Sequence, residues 1–111
     1  MKKIIALGLL FASSSVMADY GCSGTVKNVL VYSNGNVNIH TSYRDDYTVM
    51  CNLKNDWKGV SPQACKGMLS TLLTAQSTGK KIATYYTSHT CKTLPYYGGA
   101  PGPVYVGILN D

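Results

Sequence analysis

The residues best suited to acid–base work in this chain are His40 and His89. With a lysine to hold phosphate, such a pair would suit a small basic secreted ribonuclease. His40, however, falls on the polar side of an alternating strand and His89 in a turn. Nothing in the sequence brings them together, and two solvated imidazoles are the simpler reading. Asp45 and Asp46 are neighbours, so they cannot face each other across a glycosidic bond, and the chain has no Glu. No Gly-x-Ser-x-Gly, His-Glu-x-x-His or phosphate-loop pattern occurs. No cofactor or metal is therefore expected, and the residues point to binding without catalysis.

Binding has better candidates. Tyr43, Arg44 and Asp45 share one turn, Trp57 lies in a loop before a helix, and Tyr96 and Tyr97 lie in a Gly/Pro-rich loop. Aromatic faces stack on sugar rings, while Asp, Asn and Arg beside them hydrogen-bond hydroxyls. The structural alternatives are plain. Trp57 is well placed as a lid over the helix start, and Tyr43 and Tyr47 suit cross-strand packing. Residues 94–103, stiffened by three prolines, would also suit the exposed loop of an exported inhibitor or immunity-type protein.

Cysteine chemistry is not on offer. Cys22, Cys51, Cys65 and Cys91 contain no Cys-x-x-Cys pair, which disfavours zinc or a redox motif. An even number in a short exported chain reads as two disulfides. Three pairings can be drawn. The order of elements favours Cys51–Cys65, joining a strand end to the first turn of the next helix, and Cys22–Cys91, joining the first strand to a later segment.

Export is read from the first residues. Lys2 and Lys3 precede an apolar run over residues 4–12, and Val16 and Ala18 stand at the −3 and −1 positions of a cleavage site. We expect a leader over residues 1–18, cut after Ala18, and one domain over residues 19–111, delivered to a bacterial periplasm or the medium. The apolar run falls short of the ~20 residues that cross a bilayer. Asp19-Tyr20-Gly21 before Cys22 does not suit lipid attachment. The formal net charge is +5, and two of the ten basic residues lie in the leader. That is too mild a balance for a nucleic-acid binder. Glycan or a protein is the expected partner.

The elements that must position these residues follow from pattern. Residues 25–32 read as a strand, Asn34-Gly35 as a hairpin turn, and residues 36–41 as the return strand. Val37, Ile39 and Thr41 should face the core, with Asn36, Asn38 and His40 facing solvent. Residues 47–51 form a third strand. Ser61 caps a helix, Pro62 opens it and Gly79 ends it. Its apolar stripe is Cys65, Met68, Leu69, Leu72, Leu73 and Ala75. Residues 82–86 and 104–109 are further strands. The expected fold is α+β: a five-stranded curved sheet or OB-like barrel, one helix between strands 3 and 4, and two disulfides.

Thr78-Gly79-Lys80-Lys81-Ile82 with Tyr85-Tyr86, and Val106-Gly107-Ile108-Leu109 near the end, complete a pattern. The chain here resembles small exported bacterial OB-fold-like proteins and the B subunits of AB5 toxins, of the subtilase-cytotoxin and typhoid-toxin type. The resemblance spans residues 24–109 and is sequence-like over residues 70–86. It implies an OB-like fold, ring assembly of copies and glycan binding. The chain departs from that family in lacking its late cysteine pair and in being shorter. No sugar-binding residue of the family maps onto it.

Overall fold

A computed structural model describes residues 20–110. The expected leader over residues 1–18 lies outside the described residues. The chain forms β1 (Gly21–Gly24), β2 (Val26–Val31), β3 (Asn36–Thr41), β4 (Asp46–Asn52), α1 (Pro62–Thr78), β5 (Ile82–Tyr85) and β6 (Tyr105–Ile108). A short 3-10 turn, Cys91–Thr93, lies between β5 and β6.

The strands make two antiparallel three-stranded sheets, ordered β1-β5-β6 and β2-β3-β4. This corrects the expected single five-stranded sheet or OB-like barrel. A further strand and a crossing precede the expected first strand over residues 25–32. At Gly24–Thr25 the chain leaves one sheet and enters the other. A Cβ on Gly24 would collide with Ser42 Oγ and press on the Tyr43 backbone. Ser42 fills that space and accepts a hydrogen bond from Thr25 N (2.9 Å), while Ser42 N donates to Thr25 O (3.0 Å). The glycine-rich β1 carries few strand-forming residues, so its pattern is silent. Its partner β5 supplies the register, Gly21 opposite Tyr85 and Gly24 opposite Ile82. The helix accordingly lies between β4 and β5.

The hairpin from β2 to β3 forms at Ser33-Asn34-Gly35. Among these only Gly35 takes a positive φ (98°), and Tyr32 N donates to Asn36 O. This is a three-residue loop with glycine in the left-handed position, not a two-residue turn with both centres left-handed. Val37, Ile39 and Thr41 are buried as their alternation requires. Asn38 departs from it. The β3–β4 register shifts between Val37 and Asn38, and Asn38 is fully buried, its amide donating to Tyr32 Oη (3.2 Å). A tyrosine folded over the outer face replaces the solvent the alternation calls for.

Helix α1 begins as its sequence dictates. Ser61 Oγ accepts from Ala64 N (3.1 Å), Pro62 opens the first turn, and Gly79 closes the helix at φ 72°. It packs on β2 and β4 of one sheet and on β6 of the other. Cys65, Leu72 and Ala75 are buried against Val37, Ile39, Met50 and Ile82, with Met68 and Leu69 at the margin. Burial of a side chain such as Leu72 stabilises by about 1.5–3 kcal/mol. Leu73 stays 46% exposed, so the stripe is narrower than its spacing suggests.

Two disulfides brace the layers, Cys51–Cys65 and Cys22–Cys91. The first ties the end of β4 to the first turn of α1. The second ties β1 to the 3-10 turn, beside a smaller core of Cys22, Tyr86 and Leu94. Disulfides persist in oxidising surroundings outside the cytosol. Replacing Cys51 and Cys65 together by Ser should lower unfolding free energy by about 3 kcal/mol, and replacing Cys22 and Cys91 by about 4 kcal/mol, on loop-closure grounds. Urea midpoints of the two double variants check this. Equal, negligible shifts would show that the bridges do not restrain the unfolded chain.

Candidate functional site

The turn from β3 to β4 is tight. Asp45 N donates to Thr41 O (2.8 Å), and Asp45 takes a positive φ of 57°. This geometry sends three consecutive side chains in three directions. Tyr43 points inward, where its hydroxyl accepts from Thr84 Oγ1 (3.2 Å). Arg44 reaches the loop after the 3-10 turn. Its Nε donates to Leu94 O (2.7 Å), and its guanidinium carbon lies 4.2 Å from the centre of the Tyr96 ring. Asp45 points to solvent, 3.5 Å from His40 Nε2 and 3.6 Å from Lys27 Nζ. His40, then Lys27, hold the Asp45 carboxyl below the usual carboxylate range.

The Gly/Pro-rich loop is not a free connection. Tyr97 N donates to Tyr47 O (2.9 Å), and Val49 N donates to Tyr97 O (3.1 Å), a parallel bridge on the outer edge of β4. The Tyr97 ring therefore lands beside Tyr47, with centroids 5.8 Å apart and planes 25° from parallel. Tyr47 meets His40 at 5.1 Å, and its hydroxyl accepts from the Asn28 amide (3.2 Å). The register sets Asn28 opposite His40 and His40 opposite Tyr47. One row thus runs Asn28, His40, Tyr47, Tyr97 across three strands and the loop. Tyr96 and Tyr97 are each 48% exposed.

Of the six residues singled out from the sequence, Arg44 and Tyr96 are in direct contact. Asp45 and Tyr97 lie at opposite ends of the His40–Tyr47 pair. Tyr43 is turned away from this surface into the space between the sheets. Trp57 is half-buried, and Lys58 Nζ sits 4.6 Å from the centre of its ring. Lys58 Nζ also donates to Gly98 O (2.7 Å) and Ala100 O (2.6 Å), linking the Trp57 loop to the tyrosine loop.

Sequence reasoning missed Lys27, Asn28 and Lys58, and set Tyr47 and His40 aside. The outward alternation of β3 does mark His40. Nothing local marks Tyr97 as the neighbour of Tyr47, because that depends on a backbone bridge between segments far apart in the chain.

Models of known protein families, characterised proteins and solved structures were all compared with the chain, and none matches.

The site offers ring faces for stacking, an anion, a guanidinium and amide groups on one surface, as polyhydroxylated ligands require. His89 stands elsewhere, in an exposed loop, with Nδ1 3.0 Å from Ser88 Oγ and no contact to His40. A cavity of about 320 Å³ lined by Gly21, Thr90, Cys91 and Lys92 lies at the Cys22–Cys91 bridge and includes none of the aromatic row. Among the described residues no group of three His, Cys, Asp or Glu is placed to hold a metal. No described helix is long and apolar enough to cross a membrane.

Beneath the surface, Tyr43 and Tyr86 share a buried space with Thr84 and Thr41. Burial pushes both phenols up, and the neighbouring Tyr43 raises Tyr86 further. Tyr86 Oη donates to Met50 Sδ (3.6 Å). A phenol that ionises later in the folded state is a liability at high pH. The unfolded chain releases its protons first, above about pH 10, and stability falls from there upward. The urea midpoint should be flat between pH 7 and 9 and drop above 10. In Tyr86→Phe the drop should be shallower. An unchanged slope in that variant would remove Tyr86 as its cause.

Proposed function

We propose that this chain is an exported, non-enzymatic binding protein that takes glycans on the surface formed by Tyr96, Tyr97, Tyr47, His40, Arg44 and Asp45. The observation that carries the reading is the Tyr47–Tyr97 stack, two aromatic rings on a sheet edge, with Tyr47 partly buried and Tyr97 half open to solvent. Aromatic side chains with few rotatable bonds give contact area at low entropic cost, and the flanking Asp45, Arg44 and Asn28 can meet hydroxyl groups. The likeness of residues 70–86 and 106–109 to toxin B subunits supports the same reading.

Assembly of copies and export belong to this proposal. β2 and β6 each end a sheet, and near these edges Leu30, Val31, Val104, Tyr105 and Ile108 are exposed. Open edges with apolar side chains favour pairing with another strand. The leader would deliver the chain, cut after Ala18, to the periplasm or medium, where both disulfides can form.

An exported inhibitor of a partner enzyme is the second reading. It is favoured by one observation, the fixing of the Tyr96-Tyr97 loop by backbone bonds before any partner arrives.

On a glycan array the purified domain should label at least one class of glycan, and Tyr97→Ala should weaken that binding at least tenfold. An array blank for the folded wild type would reject the sugar reading and leave the inhibitor reading standing. Native mass spectrometry of the exported protein should give a subunit beginning at Asp19, in multiples of one copy. A subunit beginning at Met1 would sink the leader, and single copies alone would sink the assembly.

A further inference from the structure

Lys58 occupies a backbone position that a lysine rarely takes. Trp57 and Val60 exchange both backbone hydrogen bonds (3.0 and 2.9 Å), so Lys58 and Gly59 are the two centres of a tight turn. Their φ values are 49° and 90°. Glycine or asparagine fills such a first position at lower cost, because a side chain there crowds the backbone. A strained conformation persists where the surrounding contacts determine it.

Here the side chain supplies those contacts. The ammonium donates to Gly98 O (2.7 Å) and Ala100 O (2.6 Å) and lies over the Trp57 ring (4.6 Å). The structure gives it no carboxylate partner among the described residues. Two neutral carbonyls and an indole face contact the charge instead, on a residue that is otherwise exposed. The backbone of the same residue also interlocks with the tyrosine loop. A Cβ at Gly102 would collide with Lys58 O. The two held carbonyls, Gly98 and Ala100, lie in the turn that Tyr96 and Tyr97 open, where Gly99 N donates to Tyr96 O and Ala100 N to Tyr97 O.

We infer that Lys58 is the positioning residue of the aromatic surface. Its ammonium clamps residues 98–100, and so fixes Tyr96 and Tyr97 as ordered platforms. The clamp also couples that loop to Trp57, the only tryptophan of the chain. For binding, the inference rests on the proposed glycan reading. The clamp itself does not. A rotamer-rich, unclamped loop would have to be ordered by the ligand, at a cost in affinity.

The experiment is hydrogen exchange and tryptophan emission on wild type, Lys58→Met and Lys58→Gln. Met keeps the length of the stem and removes the charge and donors; Gln keeps a neutral donor. In Lys58→Met, the Tyr97, Gly99 and Ala100 amides should exchange at least tenfold faster and Trp57 emission should shift. Protection in β3 and α1 should stay unchanged. Lys58→Gln should lie between. Affinity for any glycan found on the array should fall at least fivefold in Lys58→Met. Wild-type protection at those three amides in Lys58→Met would overturn the inference. So would loss of protection throughout the domain, which would make Lys58 a general stabiliser. If the array finds no glycan, faster exchange confined to the loop still upholds the clamp, and only the sugar reading falls.

Discussion

The crossing at Gly24–Thr25 governs how the rest of the domain is laid out. The chain changes sheets there, and it can do so only because position 24 has no side chain. Ser42 Oγ takes the vacant space and bonds Thr25 N, so the β3–β4 turn is docked on the crossing. Docking orients the residues that follow. Tyr43 is driven between the sheets to Thr84 and Tyr86, Arg44 swings to Leu94 and Tyr96, and Asp45 is left outside with His40 and Lys27. A side chain at 24 would displace the turn and, through it, Arg44 and Asp45 together. The link from backbone sterics to the surface chemistry is therefore two residues long.

A domain this small buries little, and its core shows how that is managed. The larger cluster joins α1 to β3, β4 and β5 by apolar packing. The smaller one, around Cys22, Tyr86 and Leu94, is too sparse to hold β1 and the 3-10 turn by burial alone. The Cys22–Cys91 bridge acts at that weak end, where Thr84 Oγ1 donates to Tyr43 Oη and Tyr86 Oη to Met50 Sδ. Cys51–Cys65 acts at the other end, where the helix starts. Each disulfide thus stands where a change of element direction would otherwise be held by few contacts.

Local rules in the sequence carried the helix well, because Ser61, Pro62 and Gly79 each have a stated mechanism that context did not override. The inward set Val37, Ile39 and Thr41 was legible for the same reason. What escaped was non-local. β1 has two glycines and no β-branched residue, so its strand state comes from pairing with β5, about sixty residues away. Asn38 is buried by Tyr32 and a register shift, neither of which alternation encodes. Aromatic and polar character in a loop marks the six candidate residues, and it does not tell Tyr43 from Tyr47. They differ in fate because Tyr43 lies in a docked turn that points it in, while Tyr47 lies in β4, whose register sets it beside His40.

The aromatic surface is assembled from two kinds of support. Asn28, His40 and Tyr47 are held by strand register, which fixes them to within the tolerance of a ladder. Tyr97 is held by two backbone bonds to β4, and Tyr96 by Arg44, which is itself tied to Leu94 O. A loop of glycines and prolines would by composition be the least ordered part of the domain. Here it is bonded at Leu94, Tyr97, Gly98 and Ala100 by groups from three separate segments. The glycines then serve close approach more than mobility, as the contact between Gly102 and Lys58 requires. A surface ordered in advance loses little entropy when occupied, so a few stacked rings and polar groups can give useful affinity. An arginine and a lysine, each able to satisfy several acceptors, supply that order here, aimed at backbone carbonyls of the loop and not at carboxylates.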